Sequence, residues 1–337
     1  MNKPLVKRED VAQAAGVSTA AVSLALRGKV GVSAAKREHI LAVAQRMGYQ
    51  IDTVASMLAS KRHRSHSEAR NLEIAFLSEN PLEDGIEEQV RTATQTNFRI
   101  VQINKHTNFR RLLRELYHQG VSGILLQWRN IDFNGEDPLA LPWSDFSVAK
   151  VSRGNTALPF NLVRHSPFDF TMTTLVEVAK RGYRRMAMLC TESVNPWDDD
   201  ARLGAIYSFQ HRRRNEGIHC FWRVIQKQKS HPDLGATTID WLRECRPDVV
   251  ILPYTDLRKA YEQVGLHSQF PTYCSITTNS FCGIAGCDSQ MSELYIAGAR
   301  MVAEQIAHGE KGFPTYPKEI VMVPQWVEGK SLPIRTS

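Results

Sequence analysis

Residues 10–26, DVAQAAGVSTAAVSLAL, carry the pattern that decides how the chain begins. Residues 10–15 are rich in alanine, and Gly16 suits the left-handed position that ends a helix. Ser18 is a helix-capping residue, so the spacing predicts a second helix over 19–26, stopping before Arg27-Gly28. Two short helices joined through Gly16-Val17-Ser18 have the proportions of a helix-turn-helix, whose second helix fits a DNA major groove about 12 Å wide. Ala12, Val17, Val22 and Leu26 are the expected small core, because the two axes pass close together. Further on, Ser33 caps a third predicted helix over 34–47. Its Ile40, Val43, Ala44 and Met47 share one apolar face, and Gly48 stops it.

Charge singles out the same region. The net charge is +7, and residues 1–64 alone hold eleven Lys and Arg against four Asp and Glu, while the remainder is balanced. A polyanionic partner accounts for a surplus confined to the first fifth of the chain. The full length of 337 residues exceeds one ordinary core and predicts two or three domains. At 42% hydrophobic and 23% charged residues the chain is globular rather than disordered, and no window is apolar enough to cross a bilayer. The first ten residues are charged and lack the apolar core of a secretory signal, so a cytoplasmic location is expected.

Residues 10–18, Ala21-Val22-Ser23, Gly31-Val32-Ser33 and Gly48-Tyr49 resemble, in order, the DNA-binding head of the lac repressor (LacI/GalR) family of bacterial transcription regulators. Residues 54–58, Val-Ala-Ser-Met-Leu, are similar to that family's hinge helix, in which a leucine is wedged into the operator's minor groove. The resemblance implies DNA contacts by Ser18, Thr19, Ala20, Ser23, Arg27, Lys29, Ser33, Tyr49, Ala55 and Leu58. A wedge at Leu58 costs a few kcal/mol of unstacking, which a bent duplex offsets with further contacts. The chain also departs from the family. Lys7-Arg8 stand where a Thr and an aliphatic residue are usual, Leu24 replaces a common Arg, and Asp52 and Ser56 replace the hinge's Asn and Arg. Thr19 and Ala20 occupy the base-reading positions, and their side chains favour a thymine methyl over bidentate guanine readout.

From residue 71 onward, apolar runs alternate with amphipathic stretches, the pattern of a parallel sheet flanked by helices. Strands are expected at 72–77, 99–103, 123–127, 147–151, 186–190, 221–225, 249–252, 274–277 and 320–323, with helices at 109–118, 168–181, 201–215 and 292–308. Two doubly wound lobes fit this count, and their ligand site is expected between them, at strand carboxyl ends. The resemblance extends here through Asn80-Pro81, Gly85-Ile86-Glu87, residues 120–125, 181–186, Arg202-Leu203 and 326–329. It implies a core similar to periplasmic sugar-binding proteins. Effector contacts are then expected from Ser78, Asn80, Trp128, Arg202, Asp256 and Asn279, with Trp197 a further stacking candidate. A guanidinium such as that of Arg202 binds two sugar hydroxyls or a carboxylate in a fork.

The expected organisation is an α/β protein in three parts. A helix-turn-helix head spans 1–50, a hinge helix and linker 51–70, and an effector-binding and dimerisation core 71–337. Within the core, the N-lobe covers about 71–163 and 291–320, and the C-lobe about 164–290 and 321–337. No phosphate-binding glycine loop, dinucleotide fingerprint or nucleophile elbow is present, so no enzyme activity and no cofactor are expected. Asp198-Asp199-Asp200 reads as an acidic loop before the Arg202 helix. The six cysteines lack metal-ligand spacing and read as reduced, partly buried thiols, with no metal site. These features together predict a homodimeric repressor that reads a pseudo-palindromic duplex operator and answers to a carbohydrate effector. The contrasting readings are a cytoplasmic solute-binding or Rossmann-like protein with a basic interaction head, and an architectural DNA binder without sequence preference.

Overall fold

The computed structural model describes residues 8–26, 31–47, 72–79, 81–127, 133, 135–152, 158–191, 196–225, 227–228, 231–232, 234–253, 255–278 and 283–335. The chain divides into two compact units, residues 1–70 and 71–337.

In the first unit, α1 (Arg8–Ala15), α2 (Thr19–Leu26) and α3 (Ala34–Met47) surround one small core. Gly16, at φ 64°, closes α1 as a glycine can without strain. The Gly16 amide donates to the Gln13 carbonyl at 3.3 Å, and the Val17 amide reaches back to that of Ala12 at 3.0 Å. This is the paired capping arrangement in which the residue after the glycine also packs onto the helix it has left. Val17 accordingly joins Ala12, Val22, Ala25, Ile40, Val43 and Ala44 in the core, with Met47 at its margin. The expected apolar face of α3 is the face that is buried. Leu26 is the one expected core residue whose side chain lies outside the described residues.

The second unit holds two six-stranded sheets. The first contains β1 (Glu73–Ser78), β2 (Asn97–Gln102), β3 (Gly123–Gln127), β4 (Ser147–Val151), β5 (Asn161–His165) and β13 (Glu319–Met322), in the order β13-β5-β4-β3-β1-β2 and parallel throughout. The second contains β6 (Arg185–Thr191), β7 (His219–Ile225), β10 (Val249–Leu252), β11 (Tyr273–Thr278), β12 (Gly286–Asp288) and β14 (Trp326–Val327), in the order β14-β12-β11-β10-β6-β7. Among the described residues, only β14 runs antiparallel in that sheet. A small hairpin of β8 (Lys227–Gln228) and β9 (His231–Pro232) lies apart. The doubly wound α/β class expected from the sequence is the observed one.

Alternation along each strand sorts side chains onto two helical layers. Ile74 and Phe76 of β1 join Val90 of α4 (Ile86–Thr94) and Ala299 and Val302 of α11 (Met291–His308). Ala75 and Leu77 join Leu113 and Leu116 of α5 (Phe109–His118) on the opposite face. In the second lobe, Met186, Met188 and Ile251 pack with α6 (Pro167–Lys180) and α7 (Pro196–Arg212). Ala187, Leu189 and Val250 instead meet α8 (Ala236–Cys245), α9 (Thr255–Gln263) and α10 (Leu266–Gln269). A close approach seats α11 on its sheet: a Cβ at Gly298 would lie 2.8 Å from side-chain atoms of both Leu125 and Val151.

Among the described residues, the chain passes between the lobes three times. It leaves β5 for α6 through Ser166, leaves β12 for α11 through Ser289 and Gln290, and leaves β13 for β14 through residues 323–325. The carboxyl ends of β5, β12 and β13 are therefore at the junction, which is where doubly wound sheets bind ligands.

Candidate functional sites in the head and the core

Helix α2 owes its position to its caps. The Ser18 hydroxyl accepts from the Ala21 amide at 3.2 Å, and the Ser18 carbonyl accepts from Val22 at 3.1 Å. With Val22 and Ala25 buried, Ser18, Thr19 and Ala20 are left exposed together at the amino end of the helix. Ser33 is exposed as well and opens α3, its carbonyl accepting from Arg37 at 2.9 Å. An exposed helix start bearing a hydroxyl and small side chains allows close approach to phosphates and to thymine methyls. Ser23 lies within α2, four residues after Thr19, although its side chain falls outside the described residues. Arg27, Lys29, Tyr49, Ala55 and Leu58 lie outside them too.

In the core, Ser78 ends β1 and is fully buried. Its hydroxyl points to Gln127 Oε1 across the register, at 3.4 Å, and Tyr295 of α11 donates to the same oxygen at 3.0 Å. Two hydroxyls on Oε1 fix the amide, so that its N–H groups are turned away from them. Gln127 and Tyr295 were missed by the sequence reading. Gln127 was legible as the last residue of an expected strand beside Ser78, whereas nothing marked Tyr295 within its helix.

Arg202 lies on α7 and is buried, with 8% of its surface exposed. The acidic run does not precede this helix as a loop: Asp198, Asp199 and Asp200 belong to the start of α7. Pro196 at the helix start and carboxylates near the positive end of the peptide dipoles favour that earlier beginning. Asn80, Trp128 and Asn279 lie outside the described residues, as do the side chains of Trp197 and Asp256. The structure therefore brings together Ser78 and two residues not foreseen, and sets Arg202 on a buried helix face of the other lobe.

Cys220, Cys245, Cys274 and Cys287 are free thiols. Burial pushes Cys220 up to about 12 and Cys287 up to about 11, so neither is a thiolate nucleophile at neutral pH. Among the described residues, no helix is long and apolar enough to cross a membrane.

A capped helix-turn-helix joined to a two-lobed α/β core defines a DNA-binding regulatory architecture. Residues 9–52 match the family profile described as bacterial regulatory proteins, lacI family, and the head is a lacI-family DNA-binding domain. Among curated proteins, no sequence matches the chain significantly. Solved structures with the same fold include the lac repressor dimer bound to operator and the anti-inducer ONPF. It is 16% identical, with 97% of this chain and 99% of that one covered and a TM-score of 0.52. The transcriptional regulator CelR in complex with cellobiose is 18% identical over 96% of this chain and 98% of that one, at a TM-score of 0.52. A LacI family transcriptional regulator from Enterococcus faecium with bound ribose is 13% identical over 78% of this chain and 100% of that one, at 0.55. The core thus has the periplasmic-binding-protein-like fold of these regulators.

Proposed function

We propose that the chain is a sequence-specific transcription regulator, acting as a repressor, whose core binds a sugar or sugar derivative between its lobes. The observation that carries this reading is the lacI-family head joined to a core with the fold of regulators solved with cellobiose and ribose. In this reading, residues 1–50 bind DNA, 51–70 connect, and 71–337 bind the effector and dimerise. Ser18, Thr19, Ala20, Ser23 and Ser33 meet the major groove, Arg27, Lys29 and Tyr49 the backbone, and Ala55 and Leu58 the minor groove. Ser78, Asn80, Trp128, Arg202, Asp256 and Asn279 hold the effector. Two heads of a homodimer read the two halves of a pseudo-palindrome, as twofold symmetry requires. An effector that prefers one arrangement of the lobes changes operator affinity by its differential affinity for the two states. The protein works in the cytoplasm, without catalysis or a cofactor.

The test is selection of genomic fragments by the purified full-length protein at two salt concentrations, followed by sequencing. A recovered pseudo-palindrome with salt-sensitive binding is the expected result. Salt-sensitive binding without an enriched sequence would overturn sequence-specific regulation.

A further inference from the structure

The edge pair of the second sheet does not stop at the limit of its lobe. β12 and β14 pair antiparallel, with Gly286 opposite Val327 and Cys287 opposite Trp326. The same register continues past β14: the Asp288 amide donates to the Gln325 carbonyl at 2.7 Å. Two residues further along each chain, Gln290 Nε2 donates to the Val323 carbonyl at 3.0 Å. Rungs of an antiparallel ladder recur at every second residue pair, so after 288–325 the next is due at 290–323. The Gln290 main chain is not free to supply it. At φ 47° and ψ 38° it is left-handed, its amide donates to Asp288 Oδ1 at 3.0 Å, and its carbonyl accepts from Leu294 in the first turn of α11 at 2.9 Å. Such a conformation is uncommon for a residue with a side chain and persists where the surroundings fix it. The side-chain amide takes the place of the missing main-chain donor.

The residues between these two rungs fit the same register. Ser289 and Pro324 stand opposite one another, at a pair that forms no rung, so the proline's missing N–H removes no bond from the ribbon. The Ser289 amide accordingly turns the other way and donates to the Thr278 carbonyl at the end of β11, at 2.7 Å. Asp288 ends β12 and Gln325 leads into β14, both in the second sheet, whereas Val323 follows β13 and Gln290 opens α11, both packed in the first lobe. The ladder thus begins in one lobe and ends in the other.

We propose that the second and third passages are a single strap, a two-stranded ribbon across the junction whose last rung is the Gln290 side chain. Two attachments then join the lobes, the first passage and the strap, and two attachments define one axis of rotation. The lobes turn about that axis, whereas sliding the second passage along the third would break the rungs at 288–325 and 290–323. Hydrogen–deuterium exchange of the full-length protein tests the strap without DNA or effector. Gln290→Met keeps the length of the side chain and removes the donor, and should speed exchange in both 286–289 and 325–327 by about two- to tenfold, with β10 unchanged. Gln290→Lys returns a donor and should restore the rates of the unaltered protein. Faster exchange in 286–289 alone, no change in either segment, or an equal loss in Gln290→Lys overturns the proposal. Should Gln290→Met not fold, exchange of the unaltered protein along a urea series decides: one common slope for the two segments supports the strap, and separate slopes overturn it. The effect of the strap on operator affinity rests on the regulator reading, but the strap itself does not, so an operator-binding protein with unlinked segments would sink the strap alone.

Discussion

Ser18 shows how much a single hydroxyl can organise. It caps α2, and by fixing the helix start it decides that Thr19 and Ala20, rather than Val22, face outward. Ser18→Ala should destabilise the head by about 1 kcal/mol, read as a lower midpoint of thermal unfolding; an unchanged midpoint would show that the cap contributes nothing. Arg202 is a different case, because its burial on α7 makes it both a packing residue and a candidate effector contact. Arg202→Ala should abolish the effect of the proposed effector on operator binding while leaving DNA affinity without effector intact, measured by fluorescence anisotropy on the selected operator. A retained effector response would place the effector elsewhere. At this scale the sequence was most informative where local backbone chemistry decides the outcome. The glycine stop at 16 and the serine cap at 18 are visible in residue types alone. The Ser78–Gln127–Tyr295 cluster was not, because it depends on strand register and on which turn of α11 meets the sheet.

Among the elements, those with strong periodicity or a long apolar run were foreseen most closely. The strands at 123–127, 147–151 and 249–252 and the helix at 109–118 have the expected limits. Strands β5, β12 and β14 were not anticipated, and their residues explain why. Asn161–His165 carries two polar ends, Gly286–Asp288 has three residues, and Trp326–Val327 has two, so none offers a hydrophobic period. They are strands because neighbouring strands supply their ladders. Helices α8, α9 and α10 were likewise unmarked, their apolar positions being few and spread among charged residues. Helix α11 is the element most exposed to error in packing. Gly298→Ala should cost about 1–3 kcal/mol in urea unfolding, since the added carbon meets two fully packed side chains; a neutral effect would mean that the helix shifts freely on its sheet. In the segment proposed to meet the minor groove, Leu58→Ala should weaken specific binding and reduce DNA bending, measured by gel mobility of circularly permuted fragments, and unchanged bending would remove the proposed wedge role.

For the molecule as a whole, the separation into residues 1–70 and 71–337 makes a direct test available. A chain lacking residues 1–70 should lose operator binding and retain the unfolding transition of the core, followed by anisotropy and by circular dichroism; residual operator affinity would contradict the assignment of DNA binding to the head. The parallel α/β organisation of the core was legible from alternating apolar and amphipathic stretches. The three passages between lobes were not legible from that pattern, because a passage is defined by which sheet a strand joins, not by the strand's own residues. They have a consequence for how the protein is made. The last two strands, β13 and β14, add an edge to the first sheet and then to the second. A nascent chain emerging from the ribosome can complete the helices of its head early, but both lobes wait for β13 and β14, so the head matures before the part proposed to govern it.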